Sequence, residues 1–272
     1  MRKQPPVTLT IAGSDSGGGA GIQADLKTFQ AFGCFGTTAI TAITCQNTTG
    51  VSAVQGIDPE IVAGQIRDVL DDFPVAAAKS GMLFSAEIIK AIAQVWRDQA
   101  RNIPLVIDPV MVSASGHRLL QVDAENELRN FMQYATLITP NLPEAGVLLG
   151  RDIQNLVQMQ EAARALVNLV GTPVLLKGGH RLADARRNDE AIDLYCDGKD
   201  IQELVRPVLD ARNTHGTGCT LSAAIAAGLA RGQEPLEAIE KARDYLHGAM
   251  DRAPNLGAGS GPLNHMWRDQ AI

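Results

Sequence analysis

Apolar residues in this 272-residue chain fall into two kinds of run that take turns along its length. Short stretches rich in β-branched residues end in Gly, Pro or Asn. Longer ones place apolar residues every three or four positions. "VTLTIAG" (7–13) predicts a first strand. "GIQADLKTFQAFG" (21–33) predicts a helix with Ile22, Leu26, Phe29 and Phe32 on one face and Gly33 as its stop. Strands are expected at 37–46 and 51–57, a helix at 59–73 opened by Pro59, then strands at 75–81, 104–109, 135–141 and 173–179. Helices are expected between them at about 85–101, 124–133 and 155–170. "AIDLYC" and "IQELVRPV" read as a hairpin across "DGKD", because Asp-Gly favours a tight turn. Two helices, about 217–231 and 235–252, follow. This alternation predicts an α/β fold, a mostly parallel central sheet with helices on both faces. With no internal repeat and no Ser-, Pro- or Gly-rich linker, residues 1–272 read as one domain.

In open parallel sheets, ligands bind beyond the carboxyl ends of the strands, so what each strand delivers there matters. The first runs into "GSDSGGGAG" (13–21), a glycine-dense turn that lets backbone approach a ligand. The second ends at Gln46 and Asn47, and "PLVIDP" ends at Asp108. "TLITPN" leads into "NLPE" (141–144), and "PVLLKGG" ends at Lys177. The last junction is "NTHGTGCT" (213–220), where a polar turn becomes an apolar helix. Neither glycine turn fits G-x-x-x-x-G-K-[ST], which excludes a P-loop, and 13–21 does not give G-x-G-x-x-G in register.

A helix starting near Gly218 aims the N–H groups of Gly216, Thr217, Gly218 and Cys219 into that rim, a pocket suited to phosphate. The same position is expected to lower the pKa of Cys219. A lone cysteine among small residues is also a common buried packing element. Asp108 and Glu144 sit at the ends of different strands, and paired carboxylates there suit Mg²⁺, directly or through water. Each alone also reads as a turn-former or helix cap.

Composition narrows the class. With 45% hydrophobic residues the chain buries a sizeable core without a metal or disulfide staple. Cys34, Cys45, Cys196 and Cys219 form no C-x-x-C pair, which argues against zinc and a disulfide framework. A net charge of −6 with scattered cations argues against nucleic acid. No apolar run reaches the roughly 20 residues of a membrane span, and the opening stretch lacks a leader's apolar core. A soluble cytoplasmic protein is expected. "HRLADARRNDE" (180–190) reads as a solvated loop.

Seven blocks in order resemble the hydroxymethylpyrimidine/phosphomethylpyrimidine kinases of thiamine biosynthesis, in the ribokinase-like superfamily. They are "AGSDSGGGAGIQADLKTF" (12–29), "ITCQNTTGV" (43–51), "KSGML" (79–83), "LVIDPVM" (105–111), "LITPNLPEA" (137–145), "LLKGGH" (175–180) and "NTHGTGCTLSAAIAAGLARG" (213–232). The resemblance implies ATP-dependent phosphorylation of 4-amino-5-hydroxymethyl-2-methylpyrimidine, then of its monophosphate, with Mg²⁺. Cys219 falls where many ribokinase relatives carry an aspartate base, flanked by Gly216 and Gly218. By the same matching Gln46, Asp25, Gly13 and Met82 contact the pyrimidine, although a Met after a strand is more often core. Lys177, Thr217, Asn141 and Asp108 contact ATP, and Asp108 and Glu144 organise the metal. One departure is Ser16-Gly17, where family members often carry Pro-Ser. The family suggests a homodimer. Two other readings stay open: a vitamin B6 kinase of the same fold, and a silent nucleotide-binding regulator.

Overall fold

A computed structural model describes residues 4–112, 118–179, 190–209 and 213–268. The charge-rich loop expected at 180–190 lies, but for Glu190, outside them. The described strands are β1 (Val7–Asp15), β2 (Phe35–Asn47), β3 (Gly50–Gly56), β4 (Val75–Ser80), β5 (Leu105–Ile107), β6 (Leu137–Ile138), β7 (Val174–Lys177), β8 (Glu190–Cys196) and β9 (Ile201–Pro207). The described helices are α1 (Gly21–Ala31), α2 (Pro59–Asp72), α3 (Ala86–Gln99), α4 (Glu125–Met132), α5 (Leu142–Leu149), α6 (Leu156–Val170), α7 (Thr217–Ala230) and α8 (Pro235–Asp251).

All nine strands form one sheet in the order β3-β2-β1-β4-β5-β6-β7-β8-β9. The six strands from β2 to β7 pair in parallel, and β3, β8 and β9 add antiparallel edges. From β1 the chain builds outward to β2 and β3, then returns to the other side of β1 with β4. That reversal makes β1 and β4 a topological switch point, where a crevice opens at the carboxyl ends.

Side chains along the parallel strands alternate between two buried layers. Leu9, Ile11, Ala78, Leu105, Ile107, Val174 and Leu176 join one apolar cluster with Ile66, Ile89, Phe131 and Leu166 from α2, α3, α4 and α6. Ala77, Val106 and Leu175 join the other, with Phe29 of α1 and the cores of α7 and α8. The near-continuous apolar runs follow, because both faces of a parallel sheet are covered. Helix α7 is buried on almost every side, so its small residues admit close neighbours. A Cβ at Gly228 would lie 2.8 Å from that of Ala238 on α8.

Strands at 104–109, 135–141 and 173–179 are shorter than expected, because the residues past their apolar centres turn into the rim. Helix α5 is the element the apolar pattern does not reveal. Eight residues show barely two turns of periodicity, yet Asn141 and Glu144 close a reciprocal capping box at its start. Such a cap contributes about 1 kcal/mol.

Candidate active site

The start of α7, the glycine turn after β1 and the ends of β2, β5, β6 and β7 bring polar groups to the carboxyl rim of the sheet. Helix α7 begins at Thr217, behind Gly216 at φ 84°. A side chain there would face both a left-handed backbone and the Gly19 carbonyl oxygen, 1.9 Å from an added Cβ. The 213–219 turn is thereby pressed against the glycine turn after β1. An added Cβ at Gly218 would lie 3.1 Å from Asp108 Oδ2 and 3.5 Å from Lys177 Nζ. The bare helix tip thus abuts an ion pair in which Lys177 Nζ is 2.8 Å from Asp108 Oδ1. The Thr139 hydroxyl also donates to Asp108 Oδ1 at 3.2 Å. The N–H of Thr217 is turned back to the Thr214 carbonyl at 3.3 Å, a departure from the expected row of four open donors.

Glu144 is buried, and its Oε2 accepts the Asn141 N–H at 2.8 Å. Burial pushes its carboxyl up to about 7 and Asp108 adds to this, while the Lys177 ammonium pulls the other way. Asp108 and Glu144 are both held beside Lys177, and no group of three or more His, Cys, Asp or Glu fit for a metal occurs among the described residues. Two carboxylates without a third protein ligand suit a hard cation that keeps its waters and takes phosphate oxygens.

Cys219 departs from expectation in one respect. Burial raises its thiol to about 11, with the nearby Asp25 and Asp108 carboxylates adding to the rise. The Lys79 ammonium and an N–H from Gly21 oppose this without overcoming it. The helix start is outweighed by low dielectric and two acidic neighbours. Cys219 therefore rests as a thiol at neutral pH. Alkylation of the unliganded protein by iodoacetamide should label exposed Cys45 first and reach Cys219 efficiently only as pH approaches about 11. Fast Cys219 labelling at pH 7, followed by peptide mass spectrometry, would contradict that.

Gly13 and Met82 pack together, with Met82 Sδ 3.0 Å from an added Cβ at Gly13. Asp25 is placed differently from the expectation of a pyrimidine contact. It is fully buried on α1, with Lys79 Nζ at 3.0 and 2.8 Å from its two oxygens and the Thr10 hydroxyl donating at 2.6 Å. Its carboxylate braces the floor beneath Cys219 and lines no open surface. Gln46 lies half-buried at the end of β2, with its amide 3.3 Å from His215 Nε2. His215 in turn is 2.8 Å from Asp15 Oδ2. Asp15 also accepts N–H groups from Gly17, Gly19 and Ala20, which folds the glycine turn around one carboxylate. Although burial works against it, the His215 bond and those from Ala20 and Gly17 hold its pKa below the usual range.

A model of the family described as phosphomethylpyrimidine kinase matches residues 15–264. The chain belongs to that family. The hydroxymethylpyrimidine/phosphomethylpyrimidine kinase of Rhizobium meliloti is 47% identical over 97% of this chain and 99% of its own. The bifunctional thiamine biosynthesis protein ThiED of Geobacter sulfurreducens is also 47% identical over 95% of this chain, which spans only 52% of that longer protein. Among solved structures, an ADP complex of Bacillus subtilis pyridoxal kinase superposes with a TM-score of 0.88 at 37% identity, over 97% of this chain and 99% of that one. The fold is accordingly the ribokinase-like one that the resemblance implies.

Within this phosphomethylpyrimidine kinase family member, Lys79, Asp15 and His215 belong to the site without a motif that assigns them. Lys79 carried a visible signal, a lone cation inside the apolar run "VAAAK". His215 and Asp15 stand within "NTHGTGCT" and "GSDSGGGAG", where glycine spacing is the stronger signal.

Proposed function

We propose that this chain transfers the γ-phosphoryl group of ATP to 4-amino-5-hydroxymethyl-2-methylpyrimidine and then to its monophosphate, giving the diphosphate used in thiamine assembly. The observation that carries the reading is the Gly218 tip of α7 set against the Asp108–Lys177 pair with Cys219 alongside. An oxyanion meets open N–H groups and an ammonium there, next to a thiol at the floor of the crevice.

Transfer is in line, and positioning with charge stabilisation supplies most of the acceleration. The hydroxymethyl oxygen bonds to the γ-phosphorus as the bond to the bridging oxygen of ADP breaks. Lys177, Thr217 and Asn141 hold the phosphate chain, and the N–H groups of Gly216, Gly218 and Cys219 receive charge on the transferring oxygens. Asp108 and Glu144 would hold Mg²⁺, directly or through water, and the ion would supply neutralisation of phosphate charge. Cys219 shares the hydroxyl proton through a hydrogen bond and accepts it outright in the minor thiolate form that the Lys79 ammonium favours. Gln46 binds the heterocycle edge, with Gly13 and Met82 packing against it.

A homodimer and a cytoplasmic setting belong to the same reading. Exposed Ile43 on the outer β2–β3 hairpin and the four free cysteines are in keeping with them. No helix among the described residues is long and apolar enough to cross a membrane. The similarity to pyridoxal kinase favours one second activity, since pyridoxal also carries a hydroxymethyl group on a nitrogen heterocycle.

Incubation with Mg·ATP and each heterocycle, with mono- and diphosphate products followed separately, tests the reading. Gln46→Leu should raise the KM for the pyrimidine by about tenfold or more with the ATP KM within about twofold, the loss expected for one or two hydrogen bonds. Equal losses for both ligands would count against the placement.

A further inference from the structure

The polar contacts around Gln46 can be assigned proton by proton. Thr44 Oγ1 is 2.9 Å from the Ser14 carbonyl oxygen and 3.0 Å from one end of the Gln46 amide. A carbonyl only accepts, so the single hydroxyl proton of Thr44 goes to Ser14, and Thr44 can then only accept from Gln46. At the other end, His215 Nε2 lies 2.8 Å from Asp15 Oδ2, a carboxylate oxygen that already accepts from Gly19 and Ala20. Nε2 must therefore carry its one hydrogen and has no lone pair for a second donor, so the far end of the Gln46 amide at 3.3 Å is better an acceptor that shares that hydrogen with Asp15 than an N–H facing it. Both ends give the same answer. The amide nitrogen belongs beside Thr44 and the amide oxygen beside His215, an exchange of two atoms of nearly equal size that moves nothing else.

The imidazole is itself fixed. The backbone N–H of His215 donates to the Gly261 carbonyl at 3.3 Å, and the ring packs on Gly19, where an added Cβ would lie 2.5 Å from it. The Gln46 N–H is held by Ser16 Oγ at 2.8 Å, and that hydroxyl donates back to the Gln46 carbonyl. With its outer hydrogen and outer lone pair engaged, the amide keeps one acceptor on the His215 side and one donor on the Thr44 side.

We propose that His215 sets the polarity of the Gln46 amide and so makes the site select heterocycles with an exocyclic amino group beside an unprotonated ring nitrogen. The amino group donates to Oε1 and the ring nitrogen accepts from Nε2. The 4-oxo analogue, with its carbonyl and ring N–H, meets like against like. This deepens the pyrimidine kinase reading and rests on it. His215 acts through Gln46, as a positioning residue that decides specificity.

The test compares kcat/KM for the 4-amino substrate and its 4-oxo analogue in the wild type, His215→Phe and Thr44→Val, with the KM for ATP as control. The wild type should prefer the amino form by about 100-fold, since buried groups left unpaired reject the wrong edge. In His215→Phe the amide is free to turn over, and the preference should fall about tenfold while the ATP KM stays within about twofold. Thr44→Val removes the opposite anchor and should lower the ratio in the same direction, which keeps the test open should His215→Phe not fold. A preference unchanged in the folded variants, with both analogues slowed alike, overturns the proposal and leaves the kinase reading standing. A wild type that phosphorylates neither heterocycle overturns both.

Discussion

Cys219→Ala is expected to lose about 10²–10⁴-fold in kcat, the range for removing a proton-transfer group. The fold should survive, because Asp25 and Lys79 beneath the thiol satisfy each other and no charge is orphaned by the change. The loss in kcat should exceed any change in the KM of either ligand, since Sγ acts on the hydroxyl in the transition state. Cys219→Ser separates the two ways a thiol can act. A thiol raised to about 11 is mostly protonated at neutral pH, so hydrogen-bond sharing is its principal resting role. A serine hydroxyl shares a hydrogen bond as well, and should recover part of the turnover if sharing dominates. If the minor thiolate carries the step, Ser will be as slow as Ala, because its hydroxyl does not ionise in this range. Wild-type turnover in Cys219→Ala, with melting temperature unchanged, would remove Cys219 from the proton path and leave the phosphate cradle intact.

What the sequence revealed followed from short-range rules. β1, α1, α2 and the closing helix pair were readable because apolar spacing and Gly or Pro punctuation coincide in them. The rim was readable because β2, β5, β6 and β7 each run from apolar residues into a polar one at Gln46, Asp108, Asn141 and Lys177. Two things were out of reach. One was the sign of the shift at Cys219. A helix start argues for a low value, but the dielectric around a thiol depends on Asp25 and Asp108, which are 194 and 111 positions away in the chain. The other was the set of partners that support the contacting residues. Asp25 read as a ligand contact because its block resembles the family, yet its oxygens point to Lys79 and Thr10. Only the register of β1 against β4, with Thr10 beside Lys79, brings those groups together. Asn141 and Glu144 show the converse. The bland capping role and the functional one proved compatible, since the capping box itself holds Glu144 beside Lys177.

Lys79→Met is expected to cost about 3–5 kcal/mol of stability, the loss that follows when one partner of a buried ion pair is removed. For a chain of this size that lowers the melting temperature by on the order of 10 °C. Both side chains are fully buried, so no water takes over the contacts of Asp25. Burial alone would strip the ammonium of its proton. The Asp25 charge holds Lys79 above the ordinary lysine range, with Asp108 contributing. The pair is thus a mutual requirement, and its cost shows when it is broken. Adding Asp25→Asn to Lys79→Met should return most of the lost stability. The asparagine oxygen still accepts from Thr10, and no charge is left in the low-dielectric floor. Denaturant or thermal melts of the single and double variants measure this coupling directly. Equal destabilisation by the single and double variants would show that Lys79 contributes through packing of its chain, with the charge pair incidental.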